Sequence, residues 1–155
     1  WGCNVVELSI DRATWEITAT KVTAVVEIGK AIHPMMAIGQ VEGGFVQGMG
    51  WLTTEQWVWN DKGVLTTHAP STYKIPATGD IPEHFKVELF NEPNFEDNVG
   101  GSKAVGEPPF MLAISVYEAL RHAIASARDQ QGKGHGVVQL QAPATAEHVL
   151  QALQR

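Results

Sequence analysis

The sequence predicts an α+β fold with mixed β-sheets and two principal helices. Three observations carry that prediction: a β-branched opening that reads as a hairpin, a second alternating segment at Phe85–Phe90, and two long apolar stretches that begin at Pro34 and Pro108. At 155 residues and 16.8 kDa, the chain has the length of one domain, or of two small ones sharing a core. It is long enough to bury roughly two-thirds of its unfolded surface.

In chain order, Val6, Leu8 and Ile10 alternate with Val5, Glu7 and Ser9, and Asp11-Arg12-Ala13-Thr14 supplies polar turn chemistry. The returning arm, residues 15–28, is dense in β-branched side chains and too long for one flat strand without a bend. His33-Pro34 then opens a helix running through Val41 and Phe45 to Met49. Glycines interrupt it. Gly39 and Gly43 are four apart, as are Gly44 and Gly48, so each pair clears one helix face for a backbone or a ligand, at about 1 kcal/mol of helix propensity per glycine.

Residues 51–59 and 64–67 read as strands joined by an Asn60-Asp61-Lys62-Gly63 turn. Pro70, Pro76, Gly79 and Pro82 make the following stretch irregular, and residues 91–101 read as a polar loop. The strongest helix runs from Pro108 to about Arg128, with Phe110, Ala113, Ile114, Tyr117, Leu120 and Ile124 on its apolar face and Ser115, Glu118, His122 and Asp129 opposite. A glycine-rich linker over 131–136 leads into a terminal extension, 136–155, with a short strand at Val137–Leu140 and a helix capped by Thr145.

Composition narrows the function classes. Hydrophobic residues make up 44% and charged residues 18% of the chain, near or below globular averages of about 45–50% and about 25%, so a packed core is expected. A net charge of −6 argues against a nonspecific nucleic-acid binder, because nothing offsets phosphate repulsion over the surface as a whole. No 18-residue apolar run suggests a membrane span, and the lone Cys3 has no partner for an internal disulfide. A soluble protein of the reducing cytoplasm is expected, and the start at Trp1 suggests part of a longer one.

Chemical motifs are few. The six histidines (His33, His68, His84, His122, His135, His148) and Cys3 lack the close pairing of structural zinc sites, so no protein-ligated metal is expected. Gly100-Gly101-Ser102-Lys103 lacks the order of a phosphate-binding loop, and no Gly-x-Ser-x-Gly elbow is present. What stands out is Val105-Gly106-Glu107-Pro108-Pro109, a carboxylate set at a helix start. Two readings stand for Glu107: it complements the helix dipole, or it is a functional carboxylate that a ligand approaches closely past Gly106.

Three longer motifs are informative together. Gly39-Gln40-Val41-Glu42-Gly43-Gly44-Phe45-Val46-Gln47-Gly48-Met49-Gly50, Ala69-Pro70-Ser71-Thr72-Tyr73-Lys74-Ile75-Pro76 and Ser102-Lys103-Ala104-Val105-Gly106-Glu107-Pro108-Pro109 occur in that order. They resemble the xanthine oxidase family of molybdenum hydroxylases, in the carboxyl-terminal part of the molybdenum-binding subunit of its xanthine dehydrogenases. The resemblance runs from about Cys3 to Arg128.

It implies that residues 1–155 are the carboxyl-terminal portion of a molybdopterin-binding domain, inactive alone. The metal is then held by a molybdenum-pterin cofactor, and the protein need supply no metal ligand. Glu107 is implied as general base toward the metal's hydroxyl group, and Gln40 as a cofactor contact with close backbone approach at Gly39, Gly43 and Gly106. A helix-packing seam is the other reading of the glycine helix. Ser102 and Lys103 divide evenly between a polar loop and a pocket role, Gln47 is open between packing and contact, and Tyr73 and Lys74 read as fixing the long loop.

The implied partners are the remaining molybdenum-binding segments, an iron–sulfur/FAD subunit or domain carrying 2Fe–2S clusters, and a purine, within an oligomeric enzyme. The implied reaction is oxidation of xanthine or hypoxanthine to urate with water-derived oxygen. Pro109 argues against relatives acting on carbon monoxide or simple aldehydes. Two alternatives are a sister hydroxylase acting on an aldehyde or another N-heterocycle, and a noncatalytic assembly or interaction domain.

Overall fold

A computed structural model describes residues 1–134 and 136–155; His135, in the expected linker, lies outside the described residues. Strands β1 (Gly2–Ile10), β2 (Ile17–Val26) and β3 (His84–Leu89) form one sheet in that order. β1 pairs antiparallel with β2 and β2 pairs parallel with β3, so the sheet is mixed. Helices α1 (Pro34–Thr53), α2 (Ile114–Gln130) and α3 (Ala146–Gln154) complete an α+β unit.

The bend expected in the long second arm is a bulge. Glu7 pairs with Lys21 while Leu8 pairs with Ala19, which leaves Thr20 as the extra residue, its hydroxyl donating to the Glu7 carbonyl at 3.1 Å. Asp11 shapes the hairpin turn by accepting from the Ala13 and Thr14 amides at 2.7 and 2.8 Å.

Alternation on β2 buries Ala19, Val22, Ala24 and Val26. Val22 packs with Phe45, Met49 and Leu52 of α1 and Val116 of α2, and Phe45 meets Phe85 of β3 at a ring separation of 5.1 Å. A second cluster joins Leu120 and Ile124 of α2 to Val149, Ala152 and Leu153 of α3, whose first turn is capped as expected by the Thr145 hydroxyl accepting from the His148 amide. A third, of Val26, Ile28, Ala37 and Val41, receives Val105 and Leu112. It lies beneath the segment that carries Glu107.

Several expectations require correction. Residues 51–53 continue α1 instead of starting a strand, because Leu52 falls on the same helical face as Phe45 and Met49 and is buried with them. Residues 55–67 hold only the isolated bridge Trp59–Leu65, and Trp57, Val58, Trp59 and Val64 stay exposed. No strand forms at 137–140; Val138 instead anchors an extended segment in the α2–α3 cluster, and Tyr117 donates its hydroxyl to the Leu140 carbonyl.

The helix expected from Pro108 begins as a 3₁₀ turn, Pro108–Ala113, and becomes α-helical at Ile114. Pro108 and Pro109 occupy its first positions, where the missing N–H groups would make no intrahelical bond. The buried face of α2 is also set differently from the expected one, with Val116 inside and Ile114 exposed. Ser115 is half-buried, donating to the Leu112 carbonyl at 2.7 Å and accepting from Asn4 Nδ2 at 2.8 Å.

Candidate functional site

The site is assembled where the chain leaves β2. Gly29 has φ +66°, and a Cβ there would stand 2.4 Å from the Gly101 carbonyl oxygen, so only glycine lets these backbones meet. The Lys30 amide donates to the Gly101 carbonyl at 2.7 Å, and the Lys103 amide donates to the Ile28 carbonyl at 2.8 Å. Asn94 Nδ2 adds a bond to the Gly101 carbonyl at 3.0 Å.

A charged pair closes this clamp. Lys103 Nζ donates to Glu27 Oε2 at 2.6 Å, while Glu27 Oε1 accepts from the Gly29 amide at 2.6 Å. The two side chains are only 24% and 15% exposed. Lys103, first by its hydrogen bond, and then the Gly29 amide hold the Glu27 carboxyl below the usual glutamate range. A carboxyl whose folded-state pKa is lowered stabilises the fold above its unfolded pKa and loses that contribution as pH falls through the folded value. Acidification below the ordinary glutamate range should therefore destabilise the wild type more than Glu27→Gln, a difference that urea unfolding at pH 3 and pH 6 would read. Equal acid sensitivity would refute it.

Beyond the clamp, Val105 enters the third cluster and the chain turns over α1. A Cβ at Gly106 would lie 3.9 Å from Gln40 Oε1. Thus the structure brings together Gln40 and Gly106, which are distant in sequence. Gln40 is exposed on α1, and at its neighbours Gly39 and Gly43 an added Cβ would meet nothing within 4 Å.

Gly44 and Gly48 behave differently. A Cβ at Gly44 would stand 3.2 Å from the Phe110 amide nitrogen and Pro109 Cβ, and one at Gly48 would stand 2.3 Å from the Phe110 carbonyl oxygen. This pair is a backbone-packing seam. The Gly39/Gly43 pair is open surface.

Glu107 is exposed and precedes the 3₁₀ turn, yet its side chain makes no capping bond. Among the described residues only its carbonyl is engaged, accepting from the Phe110 amide at 3.1 Å. Tyr73 and Lys74 fix their loop as expected, Tyr73 donating to Glu55 Oε2 at 2.7 Å and Lys74 pairing with Asp80 at 2.5 Å. Glu27 was not legible as part of the site: 76 residues separate it from Lys103, and no local pattern marks either as a partner.

Among the described residues, no group of three or more His, Cys, Asp or Glu side chains is placed to hold a metal ion. Nor is any described helix long and apolar enough to cross a membrane. The surface does fit a cofactor that brings its own metal ligands: bare helix backbone at Gly39 and Gly43, an exposed amide at Gln40 and, at Glu107, an exposed carboxylate that makes no capping bond.

Residues 1–82, which contain β1, β2 and α1 with Gln40 and its glycines, match the molybdopterin cofactor-binding domain model. The chain belongs to that family. Over 154 residues it is 41% identical to the xanthine dehydrogenase/oxidase of Mus musculus, covering 98% of this chain and 12% of that protein. Over 152 residues it is 38% identical to the indole-3-acetaldehyde oxidase of Arabidopsis thaliana, covering 94% of this chain and 12% of that one. The family fold recurs in the crystal structure of the quinoline 2-oxidoreductase of Pseudomonas putida 86, with a TM-score of 0.84 and 27% identity, covering 99% of this chain and 18% of that one. The chain thus spans about 12% of the length of the curated relatives described.

Proposed function

We propose that this chain is the carboxyl-terminal portion of the molybdopterin-binding domain of a molybdenum hydroxylase, and that Glu107 is its general base. The observation that carries this reading is the placement of Gly106, the residue before Glu107, beside Gln40, on a face of α1 kept free of side chains at Gly39 and Gly43. The cofactor, when bound, supplies the oxygen transferred and takes up the electron pair. Gln40 Nε2 donates a hydrogen bond that orients it, and the backbone at Gly39, Gly43 and Gly106 admits it closely. Glu107 receives a proton on its carboxylate, which carries no competing hydrogen bond or ion pair among the described residues.

The substrate is a purine, xanthine or hypoxanthine oxidised to urate. The 41% identity to the mouse enzyme named for xanthine supports this. Electrons leave through 2Fe–2S clusters and FAD on other domains or subunits of a cytoplasmic, oligomeric enzyme; that this chain spans only 11–12% of the curated xanthine dehydrogenases it matches supports the existence of those further domains. A second reading, an aldehyde as substrate, is favoured by the 38% identity to the plant aldehyde oxidase. That identity weighs against the expectation that Pro109 argues against relatives acting on simple aldehydes.

The complete protein carrying this chain, loaded with cofactor, should turn xanthine into urate faster than it oxidises any of a panel of aromatic and aliphatic aldehydes. Preference for an aldehyde would replace the purine assignment with the second reading. Full molybdenum content without oxidation of either class would sink the hydroxylase assignment itself.

A further inference from the structure

The Glu107 side chain has no protein partner among the described residues, so its placement depends entirely on the backbone that carries it. Three residues separate it from Lys103. That short stretch is held by Val105 in the apolar cluster under α1, by the Lys103 amide bonded to the Ile28 carbonyl, and by the Lys103–Glu27 pair, which ties it to the end of β2. Val105 fixes depth, because apolar contacts are non-directional. The charged pair fixes direction, since Glu27 is itself oriented by the Gly29 amide and Lys103 is bonded through both its amide and its ammonium group.

We infer that Glu27 and Lys103 are positioning residues that set where Gly106 and the Glu107 carboxylate stand over α1. The inference rests on Glu107 acting as the general base. Neither Glu27 nor Lys103 touches the reacting atoms in this scheme. The lowered pKa of Glu27 keeps its carboxylate charged through the neutral range. With the pair largely sequestered from water, truncating one partner leaves the other charge poorly solvated and the loop free to shift. Misplacement of a catalytic group by about 1 Å is enough to lower turnover about 100-fold.

The test uses the complete, cofactor-loaded protein with Lys103→Met, with Glu27→Gln, which keeps the acceptor oxygen and the shape, and with both together. Glu107→Gln is the control. Four quantities are measured: kcat, KM, molybdenum content, and amide hydrogen exchange over residues 101–106. Each single variant should lose about 10- to 100-fold in kcat, with KM and molybdenum content unchanged and exchange over 101–106 accelerated. The double variant should be no worse than the weaker single, because the two residues act as one device.

Unchanged kcat in both single variants, with Glu107→Gln inactive, overturns the positioning role and leaves the general base standing. Activity lost together with molybdenum also overturns it, because the pair would then retain the cofactor instead of aiming the base. Near-normal turnover in Glu107→Gln overturns the general-base reading and this inference with it.

Discussion

Glu107→Gln in the complete protein is expected to lower kcat by about 10²–10⁴-fold while the protein stays folded and keeps its cofactor. The substitution changes almost nothing except the ability to take a proton. The side chain is exposed and makes no capping bond, so unfolding free energy should move by less than about 0.5 kcal/mol, as for a surface site free of special contacts. The rival role, compensation of a helix dipole, makes the opposite prediction. A dipole partner is worth about 0.3–1 kcal/mol and has no bearing on kcat. The structure already weakens that rival, because the segment after Glu107 is six residues of 3₁₀ helix and α2 begins only at Ile114. Stopped-flow turnover and thermal unfolding on the same preparation separate the two roles.

What could be read from the sequence was whatever is encoded over a few residues. The hairpin, α1, β3 and the capped terminal helix all follow from local periodicity and cap chemistry, and all are present. The failures arise where tertiary packing overrides local preference. Trp51-Leu52-Thr53 favours a strand by composition, but Leu52 completes the Phe45–Met49 face and the helix carries on. Val137–Leu140 has the content of a strand, but among the described residues no strand pairs with it, and its inward side chains, Val138 and Leu140, pack into the cluster of α2 and α3.

The same division runs through the site. The proximity of Gln40 to Gly106 and the Glu27–Lys103 pair each join segments more than 60 residues apart, and nothing within either segment marks its partner. The resemblance to molybdenum hydroxylases did mark Gln40, Gly106 and Glu107, because it compares whole motifs instead of local chemistry. It did not mark Glu27, which lies outside all three motifs.

Gly48→Ala is expected to destabilise α1 strongly, and Gly43→Ala to stabilise it. At Gly48 the new methyl lands 2.3 Å from the Phe110 carbonyl oxygen and 2.8 Å from Ala113 Cβ. Neither can rotate aside, since one is backbone and the other has no rotamer. Overpacking of this kind typically costs about 1–3 kcal/mol, occasionally more, and the rigid contacts place this site at or above the upper end. The propensity gain of about 1 kcal/mol from removing a helical glycine offsets only part of it. With about 2–4 °C of Tm per kcal/mol at this chain length, Gly48→Ala should lower Tm by roughly 4–8 °C even after that offset. At Gly43 the methyl meets nothing within 4 Å, so the propensity gain is uncompensated and Tm should rise by about 2–4 °C. Differential scanning calorimetry of the two variants decides the matter: equal Tm values would mean that the seam between α1 and residues 108–113 relaxes freely. A second measurement then separates packing from function. If the open face at Gly43 admits the cofactor, Gly43→Ala in the complete protein gains stability without cofactor and loses molybdenum occupancy. A glycine kept for packing shows no such opposition between stability and occupancy.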